Sequence, residues 1–329
     1  MQVILRKILI IQTAFIGDVV LATGVLEKLH HFYPDAKIDF LLRKGNEGLL
    51  DGHPFLNEVI IWDKKDGKYA NLWKILNQIR GKRYDLVVNL QRFAASGIIT
   101  AFSGAKLKYG YNKNPFSFLF TKAFPHLIGK KGDPDYLHEI QRNHALIAEF
   151  TDSISSKPRL YPSEKDFEAV KHYKTSAYFT ISPASVWFTK QYPKEKWVEL
   201  IDNIASNDTI YLTGGKSDLT LCTEIKQESK HPNIEVLAGK YSFLQTAALM
   251  KDAAMNYTND SAPLHFASAM DAAVTAVFCS TIPEFGFGPL STNSQIAQID
   301  YDLECRPCGL HGFKACPMEH FKCAYDIQI

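Results

Sequence analysis

Ile8-Leu9-Ile10-Ile11, the loop Gln12-Thr13-Ala14-Phe15-Ile16-Gly17-Asp18, and the stretch Val19-Val20-Leu21-Ala22-Thr23-Gly24-Val25-Leu26-Glu27-Lys28-Leu29-His30-His31 follow one another without a break. The four-residue apolar run reads as a strand buried on both faces. From Asp18 to His31, Val19, Leu21, Ala22, Val25, Leu26 and Leu29 fall on one helical face. The short-strand signal recurs at Ile38–Leu42, Val59–Trp62 and Leu86–Leu90, and Leu72, Ile75, Leu76 and Ile79 carry helical spacing between the last two. Strand–helix alternation of this kind predicts an α/β fold, a parallel sheet with helices on both faces. The alternation pauses at Ser155-Ser156-Lys157-Pro158-Arg159-Leu160-Tyr161-Pro162, whose two prolines read as a linker. It restarts at Tyr178–Ser182, Thr209–Thr213, Ile234–Leu237, Met255–Thr258 and Val274–Phe278, with Trp197–Ile204 helical. Two such blocks predict two Rossmann-like domains, 1–160 and 161–329, facing each other across a cleft. The segment Phe93–Phe124 is the least regular and reads as loop, its aromatics either filling the core or lining a site.

The length of 329 residues suits two domains. Hydrophobic residues at 46% and charged residues at 22% exclude wholesale disorder. No apolar run reaches the 18 residues of a spanning helix. The apolar start Ile8–Ile16 is followed by Gly17-Asp18 rather than a small-residue cleavage site, so it reads as a core strand and the chain as cytoplasmic. Residues 1–165 hold 24 Lys and Arg against 16 Asp and Glu, a net +8, whereas the rest holds 13 against 19, a net −6. A basic half raises the local concentration of anionic ligands, or is simply an uneven solvated surface.

In an open parallel sheet, ligands bind outside the carboxyl ends of the strands. That rule selects four loops. The first, Gln12–Asp18, lacks the G-x-G-x-x-G fingerprint, which argues against a nicotinamide enzyme. Its Asp18 is either an N-cap or a reactive carboxylate. In the second, Ser182–Pro193, the side chains of Ser185, Thr189 and Lys190 suit phosphate oxygens near a helix N-terminus. The third, Thr213-Gly214-Gly215-Lys216-Ser217-Asp218, offers paired glycines for close approach of a ligand, or a plain turn. The fourth is Thr258-Asn259-Asp260-Ser261-Ala262-Pro263-Leu264-His265. There Asp260 and Ser261 are apt N-caps, Pro263 suits a first helical turn, and the helix start suits a diphosphate. His265 reads either as a ligand contact or as a core histidine.

Taken in order, Ile16-Gly17-Asp18-Val19-Val20-Leu21-Ala22-Thr23, Thr189-Lys190-Gln191-Tyr192-Pro193, Asn259-Asp260-Ser261-Ala262-Pro263-Leu264-His265 and Phe287-Gly288-Pro289 resemble glycosyltransferase family 9, the ADP-heptose:lipopolysaccharide heptosyltransferases. The resemblance spans essentially the whole chain. It implies a GT-B architecture, with an N-terminal acceptor domain, a C-terminal donor domain, and inverting transfer from a nucleotide diphosphate sugar. Asp18 would then be the general base, since an ordinary carboxylate is ionised at pH 7. Lys190 would hold the diphosphate as the leaving group gains charge. Asp260, Ser261, Ala262 and His265 match the family's donor-binding stretch, with Ser185, Thr189, Gly215 and Lys216 as softer matches. Ala262 stands where many members have glycine. Thr13, Gly17 and Arg92 would face the acceptor, an anionic lipopolysaccharide inner core meeting the +8 half, with Lys106, Lys108, Lys113 and Arg142 as further basic candidates. A glycolipid acceptor would bring peripheral contact with the inner face of the inner membrane. No catalytic cofactor is expected.

Four of the six cysteines crowd the tail as Cys305-x2-Cys308-x7-Cys316-x6-Cys323. They read as a structural zinc or iron site that would staple a loose tail, or as free thiols. Relatives of the resembled family carry a comparable iron-binding cluster. Two rival readings stand beside the ADP-heptose transferase. One is a transferase of the same fold with another nucleotide sugar, and the other a non-catalytic nucleotide-binding protein. Nucleic acid is the weakest partner, because the tail's few basic residues, Arg306, Lys314 and Lys322, lie in the acidic half.

Overall fold

The computed structural model describes residues 4–65, 67–205 and 207–329. The chain divides into two compact units, Met1–Leu127 with Glu139–Tyr161, and Ile128–His138 with Pro162–Ile329. The expected contiguous block 1–160 is therefore interrupted, because residues 128–138 pack with the second unit. They do so through close backbone contact. A Cβ on Gly129 would lie 2.2 Å from the Glu284 carbonyl oxygen. Gly132 N–H donates to Glu284 Oε1 at 3.2 Å, His138 Nε2 lies 3.0 Å from Gly288 O, and Lys131 pairs with Asp302 at 2.8 Å.

The first unit runs β1 (Lys7–Ile11), α1 (Ile16–Phe32), β2 (Lys37–Arg43), β3 (Glu58–Trp62), α2 (Lys68–Lys82), β4 (Leu86–Asn89), α3 (Ala94–Phe102), β5 (Leu107–Tyr111), β6 (Lys122–Phe124) and α4 (Glu139–Ala145). Its six strands are all parallel, in the order β3-β2-β1-β4-β5-β6. Central β1 has Ile8, Leu9, Ile10 and Ile11 fully buried. Both of its faces are covered, which is why its sequence is a continuous apolar run rather than an alternation. Leu9, Ile11 and Val87 pack on Leu72, Ile75 and Ile79 of α2 in one core cluster.

The second unit repeats the plan: α5 (Glu164–Val170), β7 (Tyr178–Ser182), α6 (Lys194–Asp202), β8 (Thr209–Leu212), α7 (Leu219–Glu228), β9 (Ile234–Val236), α8 (Phe243–Lys251), β10 (Met255–Asn259), α9 (Ala262–Met270), β11 (Val274–Val277), β12 (Ser294–Ala297) and α10 (Lys322–Tyr325). Its sheet order, β12-β11-β10-β7-β8-β9, is the same topology read from the other edge, again all parallel. Each sheet therefore has one switch point, where the strand order reverses. It lies between β1 and β4 in the first unit and between β7 and β10 in the second. The loops leaving these strands diverge and open a crevice at the carboxyl edge.

Two expectations need correction. The segment 93–124 is not loop: it holds α3, β5 and β6. Its aromatics split, with Tyr109 and Tyr111 in the core and Phe93 and Phe118 exposed. The tail is not loose either. Phe321, Cys323, Ala324 and Ile327 join the core cluster that contains Ile181, Leu212 and Trp197, and the Tyr192 hydroxyl donates to the Ile327 carbonyl at 3.2 Å. A buried Phe or Ile side chain is worth about 1.5–3 kcal/mol, so these contacts hold the segment against the second sheet.

Candidate functional site

At the switch point of the second unit, β7 runs into a 3-10 turn, Phe188–Lys190, and β10 into the start of α9. Asn259, fully buried, stitches the two loops together. Its Oδ1 accepts the Tyr192 N–H at 2.9 Å, and its Nδ2 donates to the Pro183 carbonyl at 2.8 Å. The result is an ion pair, Lys190 Nζ to Asp260 Oδ2 at 2.7 Å, with the two side chains 15% and 9% exposed. The Thr281 hydroxyl also donates to Asp260 Oδ2, at 2.6 Å. An ammonium has three donors, so pairing with Asp260 leaves capacity for an anionic ligand.

The capping expected from Asp260 and Ser261 does not occur. Asp260 turns to Lys190 instead. Ser261 occupies the N-cap position, but its hydroxyl donates to the Asn259 carbonyl at 3.4 Å and no side chain caps α9. With Pro263 in the first turn and Ala262 half-buried, the positive end of α9 lies next to the Lys190 ammonium. Both favour negative charge at the same place. Thr189, by contrast, is fully buried with its hydroxyl engaged by Phe313 and Ser280. Ser185 is partly exposed, and its carbonyl accepts from the Gln191 side chain at 2.7 Å. Gly215 and Lys216 are exposed on the neighbouring β8 loop, where the Gly215 N–H is taken by Asp218 Oδ2 at 2.8 Å.

His265 follows on α9. Burial pushes its imidazole down to about 3, against a smaller opposing pull from Asp260. It is neutral at physiological pH, so what it can offer is a hydrogen bond and not a charge. Its Nδ1 is buried without a hydrogen-bond partner among the described residues. The depressed value makes folding pH-dependent. Between about pH 6.5 and 3 the unfolded chain binds a proton that the folded chain does not, so stability falls as the solution is acidified. At 1.36 kcal/mol per unit, this group removes about 2 kcal/mol by pH 5. Urea unfolding of His265→Gln should show a pH 7.5-to-5 loss smaller than wild type by about that amount. Parallel profiles would mean that His265 is not buried neutral.

At the switch point of the first unit, α1 begins at Ile16 with Phe15 as N-cap, so Asp18 is in the first turn rather than at the cap. Its Oδ2 accepts the Phe15 N–H at 3.2 Å. Gly17 precedes it, partly exposed. Gln12 at the end of β1 and Gln91 after β4 are joined by their side chains, Gln91 Nε2 donating to Gln12 Oε1. Thr13 is buried, and both its carbonyl and its hydroxyl accept from Lys64 Nζ, at 2.8 and 3.0 Å. Arg43 lies over the Phe15 ring at 4.8 Å.

The basic candidates separate on this framework. Arg92 after β4 and Lys113 after β5 stand at the carboxyl edge with Asp18. Lys106 precedes β5 at the opposite edge, paired with Asp85 at 2.8 Å. Lys108 donates to the Ala101 carbonyl at 3.1 Å. Arg142 is buried against Glu139 at 2.8 Å. Burial alone would raise the Glu139 carboxyl; His126 and Arg142 together hold it below its ordinary value. Arg142 is thus half of an internal ion pair. Arg43 and Lys64 escaped the sequence reading, although the strand-end rule that picked Arg92 also points to the ends of β2 and β3.

Cys305, Cys308, Cys316 and Cys323 line one cavity of about 190 Å³ with Thr189, Phe313 and Phe321. All four are free thiols. Among the described residues no three His, Cys, Asp or Glu side chains are arranged to hold a metal ion. Burial raises the thiols of Cys308 and Cys323, the latter to about 12. Among the described residues no helix is long and apolar enough to cross a membrane.

Two parallel sheets of one topology, flanked by helices, with anion-favouring residues at a strand-order reversal, define a GT-B-type α/β protein. The family model for glycosyltransferase family 9 (heptosyltransferase) matches residues 72–315, and the chain belongs to that family. It is a glycosyltransferase. It is 29% identical over 282 residues to the lipopolysaccharide heptosyltransferase 3 of Escherichia coli, covering 81% of this chain and 82% of that one. It is 25% identical over 327 residues to the lipooligosaccharide heptosyltransferase 2 of Campylobacter jejuni, covering 98% and 94%. Among solved structures, the glycosyl transferase family 9 protein of Veillonella parvula superposes with a TM-score of 0.79 at 21% identity, over 90% of this chain and 86% of that one. The E. coli ADP-heptose LPS heptosyltransferase II gives 0.76 at 21% identity, over 96% of both chains. At these identities the structures speak to the fold.

Proposed function

We propose that the protein transfers a heptose from an ADP-linked donor to an anionic inner-core sugar of lipopolysaccharide, in a single displacement with inversion. The observation that carries this is the Lys190–Asp260 pair set beside the uncapped start of α9 at a switch point. The relatives' names as lipopolysaccharide and lipooligosaccharide heptosyltransferases support the choice of sugar and acceptor.

In this reading the sugar's diphosphate lies against Lys190 and the first turn of α9, with Ser261 and Ala262 lining its approach and His265 offering a neutral hydrogen bond. As the anomeric C–O bond to phosphate breaks, negative charge grows on the ADP, and a fixed ammonium and helix end stabilise it more than they stabilise the ground state. Asp18 accepts the acceptor hydroxyl's proton as its oxygen bonds to the anomeric carbon from the opposite face. Arg92, with Lys64 and Arg43 nearby on the carboxyl edge, meets the acceptor's carboxylates and phosphates. The acceptor is a glycolipid, which brings the protein to the inner face of the inner membrane. Calorimetric titration with ADP, UDP and GDP tests the donor assignment. Preference for ADP is expected, and preference for UDP or GDP would keep the fold but replace the donor. Reversing one acceptor-side charge, Arg92→Glu, should raise the acceptor KM about tenfold, one charge-assisted hydrogen bond, and leave the donor KM unchanged. Equal acceptor kinetics would remove Arg92 from that role.

A further inference from the structure

The cysteine-bearing tail touches the nucleotide-side lysine directly. Thr189, immediately before Lys190, is clasped by a residue 124 positions later. Thr189 N–H donates to the Phe313 carbonyl at 3.1 Å, and Phe313 N–H donates to Thr189 Oγ1 at 2.7 Å. Ser280 Oγ adds a third bond to the same hydroxyl at 3.0 Å. The next tail residue back, Gly312, has φ +77°. A Cβ there would stand 2.8 Å from Thr189 Oγ1, 3.1 Å from Lys190 Cγ and 3.2 Å from Ser280 Oγ. Tail backbone therefore forms the wall against which the lysine stem lies, and only a glycine leaves room for it. The segment that supplies this wall is itself fixed, through Phe321 stacked on Phe188 at 5.2 Å and through the buried Ile327.

We infer that Gly312, Phe313 and Thr189 are positioning residues: the C-terminal tail clasps the Thr189 turn and so holds the Lys190 ammonium beside Asp260 before any ligand arrives. Lysine has one of the most mobile side chains, and a stem already confined loses less freedom when its ammonium binds an anion. The sealed Thr189 hydroxyl serves the site from behind rather than by touching phosphate. This rests on Lys190 being the diphosphate ligand.

The test measures ADP affinity by calorimetry, together with donor and acceptor KM, for Thr189→Val, Thr189→Ser and Gly312→Ala. Each is made in the wild-type and in the Lys190→Met background, with thermal unfolding followed alongside. Valine keeps the shape of threonine and removes the hydroxyl that Phe313 and Ser280 use; serine keeps the hydroxyl. Thr189→Val and Gly312→Ala should each weaken ADP binding about tenfold and raise the donor KM with the acceptor KM unchanged, the size expected for a lost hydrogen bond or two. Thr189→Ser should remain within about twofold of wild type. In the Lys190→Met background neither Thr189→Val nor Gly312→Ala should weaken binding further, because residues that act through one group are not additive. Unchanged affinity in Thr189→Val and Gly312→Ala, or an equal tenfold loss when Lys190 is already gone, would overturn the inference while leaving Lys190 as ligand. Retained ADP affinity in Lys190→Met alone would remove the lysine from its role and the clasp with it.

Discussion

Asp18→Asn should lower kcat by about 10²–10⁴-fold, the range typical of a lost general base, with the affinity for ADP within twofold of wild type. The substitution is close to isosteric. The amide oxygen can still accept the Phe15 N–H that Asp18 Oδ2 accepts at 3.2 Å, so the first turn of α1 keeps its bond. What is lost is the negative charge and the ability to take a proton. In the proposed mechanism an ordinary carboxylate is a weak base, adequate only because the attacking hydroxyl becomes acidic as its oxygen bonds to carbon. Steady-state kinetics with saturating donor and acceptor, beside an ADP titration, checks this. Turnover within threefold of wild type would take Asp18 out of the chemistry and leave it as a helix-start residue.

Lys190→Met should weaken ADP binding about 100-fold. Two effects add. A charge-assisted hydrogen bond to phosphate is worth about 1.5–3 kcal/mol, roughly 10–150-fold in affinity. Removing the ammonium also leaves the Asp260 carboxylate, 9% exposed, without its cation, so an arriving diphosphate meets an unneutralised negative charge. Methionine keeps an unbranched stem beside Gly312, which separates loss of charge from loss of packing. The same uncompensated carboxylate should lower unfolding stability, by up to about 3–5 kcal/mol for a fully buried pair and by less here, because Thr281 still donates to Asp260. Calorimetry and thermal unfolding read the two consequences separately. An ADP dissociation constant within threefold of wild type would place the diphosphate elsewhere.

Most of the fold could be read from hydrophobic runs because central parallel strands are buried on both faces. Ile8–Ile11, Val87-Val88 and Ile210–Leu212 announce themselves in that way. The edge of the first sheet does not. Leu-Lys-Tyr-Gly-Tyr of β5 mixes charge and glycine into the run, and β6 is three residues long and largely exposed. The strand-end rule selected loops at both switch points, but side-chain partners within them depend on long-range contacts that sequence does not display. Asn259 and Asp260 looked like pieces of a helix start; one proves to be the stitch between two loops and the other an ion-pair partner. Thr281, Gly312 and Phe313 gave no signal in sequence, because Thr281 matters through Asp260, 21 positions before it, and Gly312 and Phe313 through the Thr189 turn, more than 120 positions before them. The cysteine spacing gave no sign that apolar burial at Phe321 and Ile327 anchors the tail.

Heptosyl transfer from an ADP-linked donor leaves two products that can be followed together. Its most direct test is to incubate the purified protein with ADP-heptose and a lipopolysaccharide inner-core acceptor, following released ADP and the acceptor's mass. Stoichiometric ADP release is expected, with one heptose added per acceptor, the new linkage inverted at the anomeric carbon, and both signals lost in Asp18→Asn. ADP release without a mass gain, retention of anomeric configuration, or equal transfer by Asp18→Asn would contradict it.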